Sequence, residues 1–292
     1  MKLSRKLIAL TAAALAVCMT LASCSAQKED NGVAYEKEMK ISTAADLEGK
    51  AVAVQLRSGE DEYIVSNKLT NYPRRYSDMK TAIQDLLDKK VAAVVVDSNY
   101  AKQLTDGVEG VRIVKGSIGK VEYRFLLNKS DAKLAAKMNE QIAALKQSED
   151  YQPMIESELV KGESYRVAKD SVGWKKTFTL VTEPSFKPFA YEKKGSVKGL
   201  FAAIADAAAY GCEGNFDTKT VEPVQIDDTK SESASEEVTT FVTNEAQTVK
   251  GNRNSFCVVT SEATADDTVF VTTDSFYTSQ LVMIIRTEEK KK

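Results

Sequence analysis

Residues 79–97 read MKTAIQDLLDKKVAAVVVD. Met79, Ala82, Ile83, Leu86 and Leu87 recur at helical spacing, which predicts a helix within 76–90. Val91–Val96 is apolar throughout, and four of its six residues are β-branched. Such a run needs cover on both faces, the situation of a parallel strand between helix layers. Asp97 stands at its end. Working outward, the run ending Ala51-Val-Ala-Val-Gln55 predicts a second strand of the same kind, and a helix follows over 60–68. On the other side a helix over 98–104 precedes a strand at 111–114. Alternation of this sort over 41–117 predicts an α/β unit with a parallel sheet.

Beyond it the pattern changes and then restarts. Residues 121–127 are extended, and 131–146 carry Leu134, Met138, Ile142 and Leu145 on one face, an amphipathic helix. A shorter helix is predicted over 153–160. Residues 161–176 read as a connector, with the single tryptophan, Trp174, near its end. A strand at 178–182 then leads through EPSFKPFAYEKKGSVK (183–198), a turn and a charged hairpin, into an Ala-rich helix over 199–210. Gly211 is placed to stop it. Residues 227–237, rich in Ser, Asp and Glu, predict a loop. Strands are predicted at 256–260, 268–272 and 280–285.

The chain starts with Lys2, Arg5 and Lys6 before the uncharged run Leu7–Ala22, the form of a secretory signal. Leu21-Ala22-Ser23-Cys24 resembles a bacterial lipobox, which makes residues 1–23 a leader and Cys24 the lipidated residue. Residues 24–40 form a tether. The expected location is the extracytoplasmic face of the cell membrane, held by the lipid; an ordinary signal peptide is the alternative. Removing the leader takes three cations and no acids, so the formal charge moves from −2 to −5. With no basic stripe, a nucleic-acid partner is not expected. The chain has no histidine, which excludes His-dependent triads and the commonest zinc sites. No metal, cofactor or catalytic residue is expected. Cys212 and Cys257 form either one disulfide or two buried thiols.

Three segments carry a family resemblance. Ser42-Thr-Ala-Ala-Asp-Leu-Glu-Gly-Lys-Ala-Val-Ala-Val-Gln55 resembles the "DLkGKkVgVQ" signature of the polar amino-acid type (family 3) of ABC-transporter solute-binding proteins. Residues 82–97 resemble that family's "AlqaLlnGrvDAvvvD", and Met138–Tyr151 its closing "vNkalaeLkadGtY". The family's opening comes afterwards: Glu183–Tyr191 resembles "d.sfpPFay", Val197–Ala209 resembles "lvGfdvDlakaia", and Asp274–Ile285 resembles "FsdpYytsgqvlvv". The resemblance therefore implies a two-lobed periplasmic-binding-protein (type II) α/β fold in circularly permuted order. Residues 41–117 form lobe II. Residues 118–292 form lobe I, from the helices of 118–168 and the strands and helix of 177–285. A pair of half-deleted tandem copies is the competing arrangement.

The same resemblance supplies candidate ligand-binding residues. Ser58 and Gly59 occupy the strand-to-helix turn where the family has a Gly-Thr pair, and helix-start N–H groups suit a carboxylate. A plain Ser N-cap explains Ser58 equally simply. Asp97 matches an acid that holds a ligand ammonium, or else caps the helix at Ser98. Glu183 and Phe186 match a lobe I acid and a covering aromatic, with Phe189 and Tyr191 competing for core positions. The family's carboxylate-clamping arginine is missing from the turn Thr264–Thr268, where Asp266 stands. Arg57 and Arg124 are the candidate replacement cations. The implied function is capture of a small polar solute outside the cell for an ABC permease; a binding fold kept for interaction or sensing is the alternative. Enzymatic activity is not expected.

Overall fold

The computed structural model describes residues 40–170, 172–222, 244–260 and 266–287. The leader, Cys24, all of the tether but its last residue, and the 227–237 loop lie outside them.

The apolar runs become the middle of a sheet. The first part of the chain gives β1 (Ala51–Gln55), α1 (Gly59–Ser66), β2 (Tyr72–Tyr76), α2 (Met79–Leu87), β3 (Ala93–Asp97), α3 (Ser98–Thr105) and β4 (Val111–Ile113). β1 and β3 are buried at every residue, and β2, β1 and β3 run parallel. Next come β5 (Gly119–Asn128), α4 (Ala132–Gln147) and α5 (Tyr151–Ile155), which runs on as a π-helical turn over Glu156–Lys161. Then β6 (Thr177–Thr182), β7 (Ser185–Phe186), β8 (Ala190–Lys193), β9 (Ser196–Lys198), α6 (Leu200–Gly211) and β10 (Asn215–Thr220) follow. Residues 244–251 form α7. β11 (Ser255–Thr260), β12 (Phe270–Thr272) and β13 (Tyr277–Arg286) complete the described elements.

Strand order is β10-β6-β11-β5-β13-β3-β1-β2, with β12 beside β5 and β4 beside β13. The two ten-residue strands explain how one sheet serves two halves. β5 and β13 pair antiparallel through Gly119–Tyr123 and Tyr277–Leu281. The rest of β5 pairs with β11, and the rest of β13 with β3. Each long strand thus belongs to both halves, so one mixed α/β sheet runs through the described chain.

Alternation along β5 fills two cores. Val121, Tyr123, Phe125 and Leu127 face the large core beneath α4 and α6, while Leu126 joins Val181, Val249, Cys257 and Val259 on the other side. Cys212 and Cys257 are both buried and both free, one in each core. Burial pushes the Cys212 thiol up to about 11 and holds the Cys257 thiol well above its usual range.

β2 and β10 are strands that the sequence reading passes over. β2 reads YPRRY, and proline lacks the N–H a central strand needs. The conflict resolves because β2 is an edge strand whose one partner is β1, where proline is tolerated. β10, NFDTKT, is the opposite edge and is half exposed, so it lacks an apolar run. Gly211 is the last residue of α6 rather than a left-handed stop, and the turn is made by Glu213 at φ 61.

Gly199 opens α6 at φ +106, and a Cβ there would sit 2.4 Å from the Pro188 carbonyl oxygen and 2.5 Å from that of Phe189. The same two carbonyls accept from Leu200 and Phe201 N–H, so they cannot withdraw without losing bonds. Gly199→Ala is expected to cost about 2 kcal/mol or more, roughly 5 °C of melting temperature. An unchanged thermal transition would contradict this account of the turn.

Candidate functional site

The cleft forms where the two halves present their strand ends. β1 is apolar until Gln55, its last residue, after which Leu56 and Arg57 make a turn with Arg57 at φ 59. Ser58 then caps α1, its Oγ accepting from the Asp61 N–H at 3.1 Å. From the other half, β6 ends at Thr182, and Glu183 and Pro184 lead into β7. Arg57 Nη1 donates to both Glu183 carboxylate oxygens at 2.9 Å. This ion pair is largely withdrawn from solvent, with side chains 13% and 7% exposed. Gln55 Nε2 donates to the Lys187 carbonyl at 2.9 Å. The Thr260 hydroxyl, at the end of β11, donates to Glu62 of α1.

Around these contacts lies a cavity of about 70 Å³. That is room for roughly five water molecules. Its apolar wall includes Tyr123, Phe186, Phe201 and Val258; its polar wall includes Arg57, Asp61, Glu62, Arg75, Glu183 and Glu245. Phe186 stacks on Phe189, ring centres 4.7 Å apart, and Phe189 packs in turn on Phe201 at 5.3 Å. Phe186 is half-buried at the lining while Phe189 is fully buried, which divides the aromatic candidates between site and core.

Both arginines of the lining have acid partners. Arg75 Nε reaches Asp61 Oδ2 at 2.7 Å. Glu183 also accepts from Ser185 Oγ at 2.5 Å, and its backbone N–H donates to Glu245 Oε1 at 2.6 Å. Burial pushes the Glu245 carboxyl up to about 8, with the Glu183 charge adding to the effect. Burial also raises Asp61, against the pull of Arg75.

Of the six candidate ligand-binding residues, Arg57, Ser58, Gly59, Glu183 and Phe186 line this one cavity. Asp97 does not. Its side chain is fully buried and accepts from the Asn99 and Tyr100 N–H groups at the start of α3 and from the Tyr277 hydroxyl at 2.7 Å. The structure places it as a helix cap. Gly59 serves helix packing: a Cβ there would meet Val121 Cγ1 at 2.6 Å and the Tyr123 hydroxyl at 2.7 Å. Asp266 is exposed, bonded to Thr268 N–H and Oγ1, and is not part of the lining. Arg124 pairs with Glu122 at 2.9 Å outside the lining. Of the two candidate cations, only Arg57 reaches the cavity.

The sequence reading misses Asp61, Glu62, Arg75, Phe201 and Glu245. The first two follow Ser58-Gly59 directly, so proximity in sequence was an available signal. Arg75 is hidden by the proline in β2, and Glu245 has no local marker, since its partner Glu183 lies 62 residues away. Among the described residues, no group of three or more His, Cys, Asp or Glu side chains is placed to hold a metal ion. No described helix is long and apolar enough to cross a membrane.

No family model and no curated protein matches the chain. Solved structures with some likeness include the regulatory domain of OxyR2 from Vibrio vulnificus, at 10% identity over 87% of this chain and 92% of that one, TM-score 0.39. The GluR0 ligand-binding core in complex with L-glutamate is 8% identical over 84% of this chain and 85% of that one, TM-score 0.34. Full-length CbnR with its target DNA is 10% identical over 83% of this chain, TM-score 0.37, and this chain spans 64% of its length.

Proposed function

We propose that the protein is a lipid-anchored solute-binding protein that captures a small polar solute outside the cell and passes it to an ABC permease. The observation that carries this reading is the cavity between the strand ends of the two halves. It is lined by aromatic rings on one side and by opposite charges on the other. Clefts of this kind bind ligands by hinge closure, since contacts to both halves favour the closed state. Binding rather than turnover is proposed.

The permuted order belongs to the same proposal. Arg286 at the end of β13 donates to the Val91 carbonyl, and the Ala92 N–H donates to Ala51 at the start of β1. The end of β13 and the start of β1 are therefore one strand apart at the same end of the sheet, close enough for a short connection.

A panel of amino acids, amines and small anions tests the reading by thermal shift. A solute at a hundred times its Kd stabilises the folded chain by about 2.7 kcal/mol, a rise of several degrees. No shift across the panel would sink it. A second reading, a binding fold used for interaction or sensing, is favoured by the small cavity and by ion pairs already made on both lining arginines. A flat panel would leave that reading standing.

A further inference from the structure

We propose that Arg57 and Glu183 form a latch that holds the cleft shut with the chain's own charges. Arg57 sits on the turn after β1 and Glu183 on the turn after β6, so the pair ties one half of the molecule to the other. Two neighbouring bonds repeat the geometry: Gln55 Nε2 to the Lys187 carbonyl, and the Thr260 hydroxyl to Glu62. In each case a group from the β1–α1 corner meets one from the other half: the turn after β6, the turn between β7 and β8, or the end of β11. These contacts join the two halves across the cleft with groups of the chain itself.

The arrangement is specific to the residues present. A guanidinium is permanently charged and can engage both oxygens of a carboxylate. Here Glu183 takes the place that the carboxylate of a solute would take on Arg57. Resting on the solute-binding reading, this makes Glu183 an internal competitor: an anionic solute has to displace it and leave its charge otherwise satisfied. The small cavity follows, because the latch crosses the space where a larger ligand would lie.

Hydrogen–deuterium exchange on the full chain, with no solute added, tests the latch. Glu183→Gln keeps the shape and removes the charge. It is expected to speed exchange at least tenfold in segments 55–62 and 183–190, while peptides within β3 and β6 stay as protected as before. The charge-exchanged double variant, R57E with E183R, is expected to restore most of the protection. Gln55→Leu removes one cross-cleft bond without touching a charge, and should give a smaller rise in the same segments. Unchanged exchange at the cleft in both single variants would overturn the proposal. So would a rise spread evenly through β3 and β6, or a charge-exchanged variant no better protected than Glu183→Gln. Because no solute is present, the outcome is independent of the thermal-shift panel: the latch can fail while a solute binds, and the reverse.

Discussion

The melting temperature is expected to be highest near pH 5 and to fall steadily toward pH 8. The cause is a set of carboxyl groups that folding places out of water. Burial holds Glu245 at about 8 and Glu60 at about 7, with the nearby charges of Glu183 and Asp97 respectively adding to each. Burial also raises Asp61, Asp97 and Glu158. In the unfolded chain a glutamate gives up its proton near 4.3. Between that value and its folded-state value, each raised group keeps a proton that the unfolded chain has lost. Stability then falls by about 1.4 kcal/mol per pH unit per retained proton. Glu60 acts up to about pH 7 and Glu245 up to about pH 8, so the loss over the whole window is several kcal/mol.

The opposing groups act elsewhere on the pH axis. Asp46 is held at about 2 by the Ser42 and Thr43 backbone N–H groups, and Asp85, Glu122 and Asp266 are also lowered. Their contribution is present above the unfolded value and is lost only as pH falls below about 4. Thermal melts in a constant-ionic-strength buffer series test this, with Glu245→Gln and Glu60→Gln as controls. Each variant should flatten part of the slope between pH 5 and 8. A wild-type transition that rises across this range, or variants that leave the slope unchanged, would show that these groups do not carry the effect.

Phe201→Ala is the second large effect. Phe201 is almost fully buried at the start of α6 and lines the cavity. Its ring centre lies 4.8 Å from that of Tyr123, 5.3 Å from Phe189 and 5.5 Å from Phe276. Removing it deletes these contacts and leaves a hole that merges with the cavity. A buried Phe→Ala change costs about 3–5 kcal/mol, on the order of 10 °C for a chain this size. Phe201→Leu keeps most of the volume and should cost less than half as much. Urea unfolding of the three proteins gives the comparison; similar midpoints for Phe201→Ala and wild type would mean that the aromatic cluster closes over the gap.

These two effects rest on groups of different legibility. Phe201 lies in the apolar helix that the sequence predicts over 199–210, so its element was legible even though its place at the cavity was not. Glu245 carries no such mark. It becomes unusual only because α7 brings it against the backbone of Glu183, from a distant part of the chain. Arg75 shows the same limit in another way: Pro73 argues against a strand, and only an edge position in the sheet makes one possible. Asp97 shows a local alternative prevailing, since two N–H groups at the start of α3 and the Tyr277 hydroxyl take up its carboxylate.

What the sequence by itself determined is the alternation of buried strands and amphipathic helices, because apolar period is a local property of the chain. The family resemblance, not the pattern alone, pointed to the turns Gln55–Gly59 and Glu183–Phe186 as candidate binding positions. Only the tertiary structure decided that these turns meet and that Arg57 closes on Glu183. It alone placed Glu245 and Asp61 as buried acids beside them. The reason is physical: burial and ion pairing depend on distances across the cleft, and those are set by how β5 and β13 join the two halves.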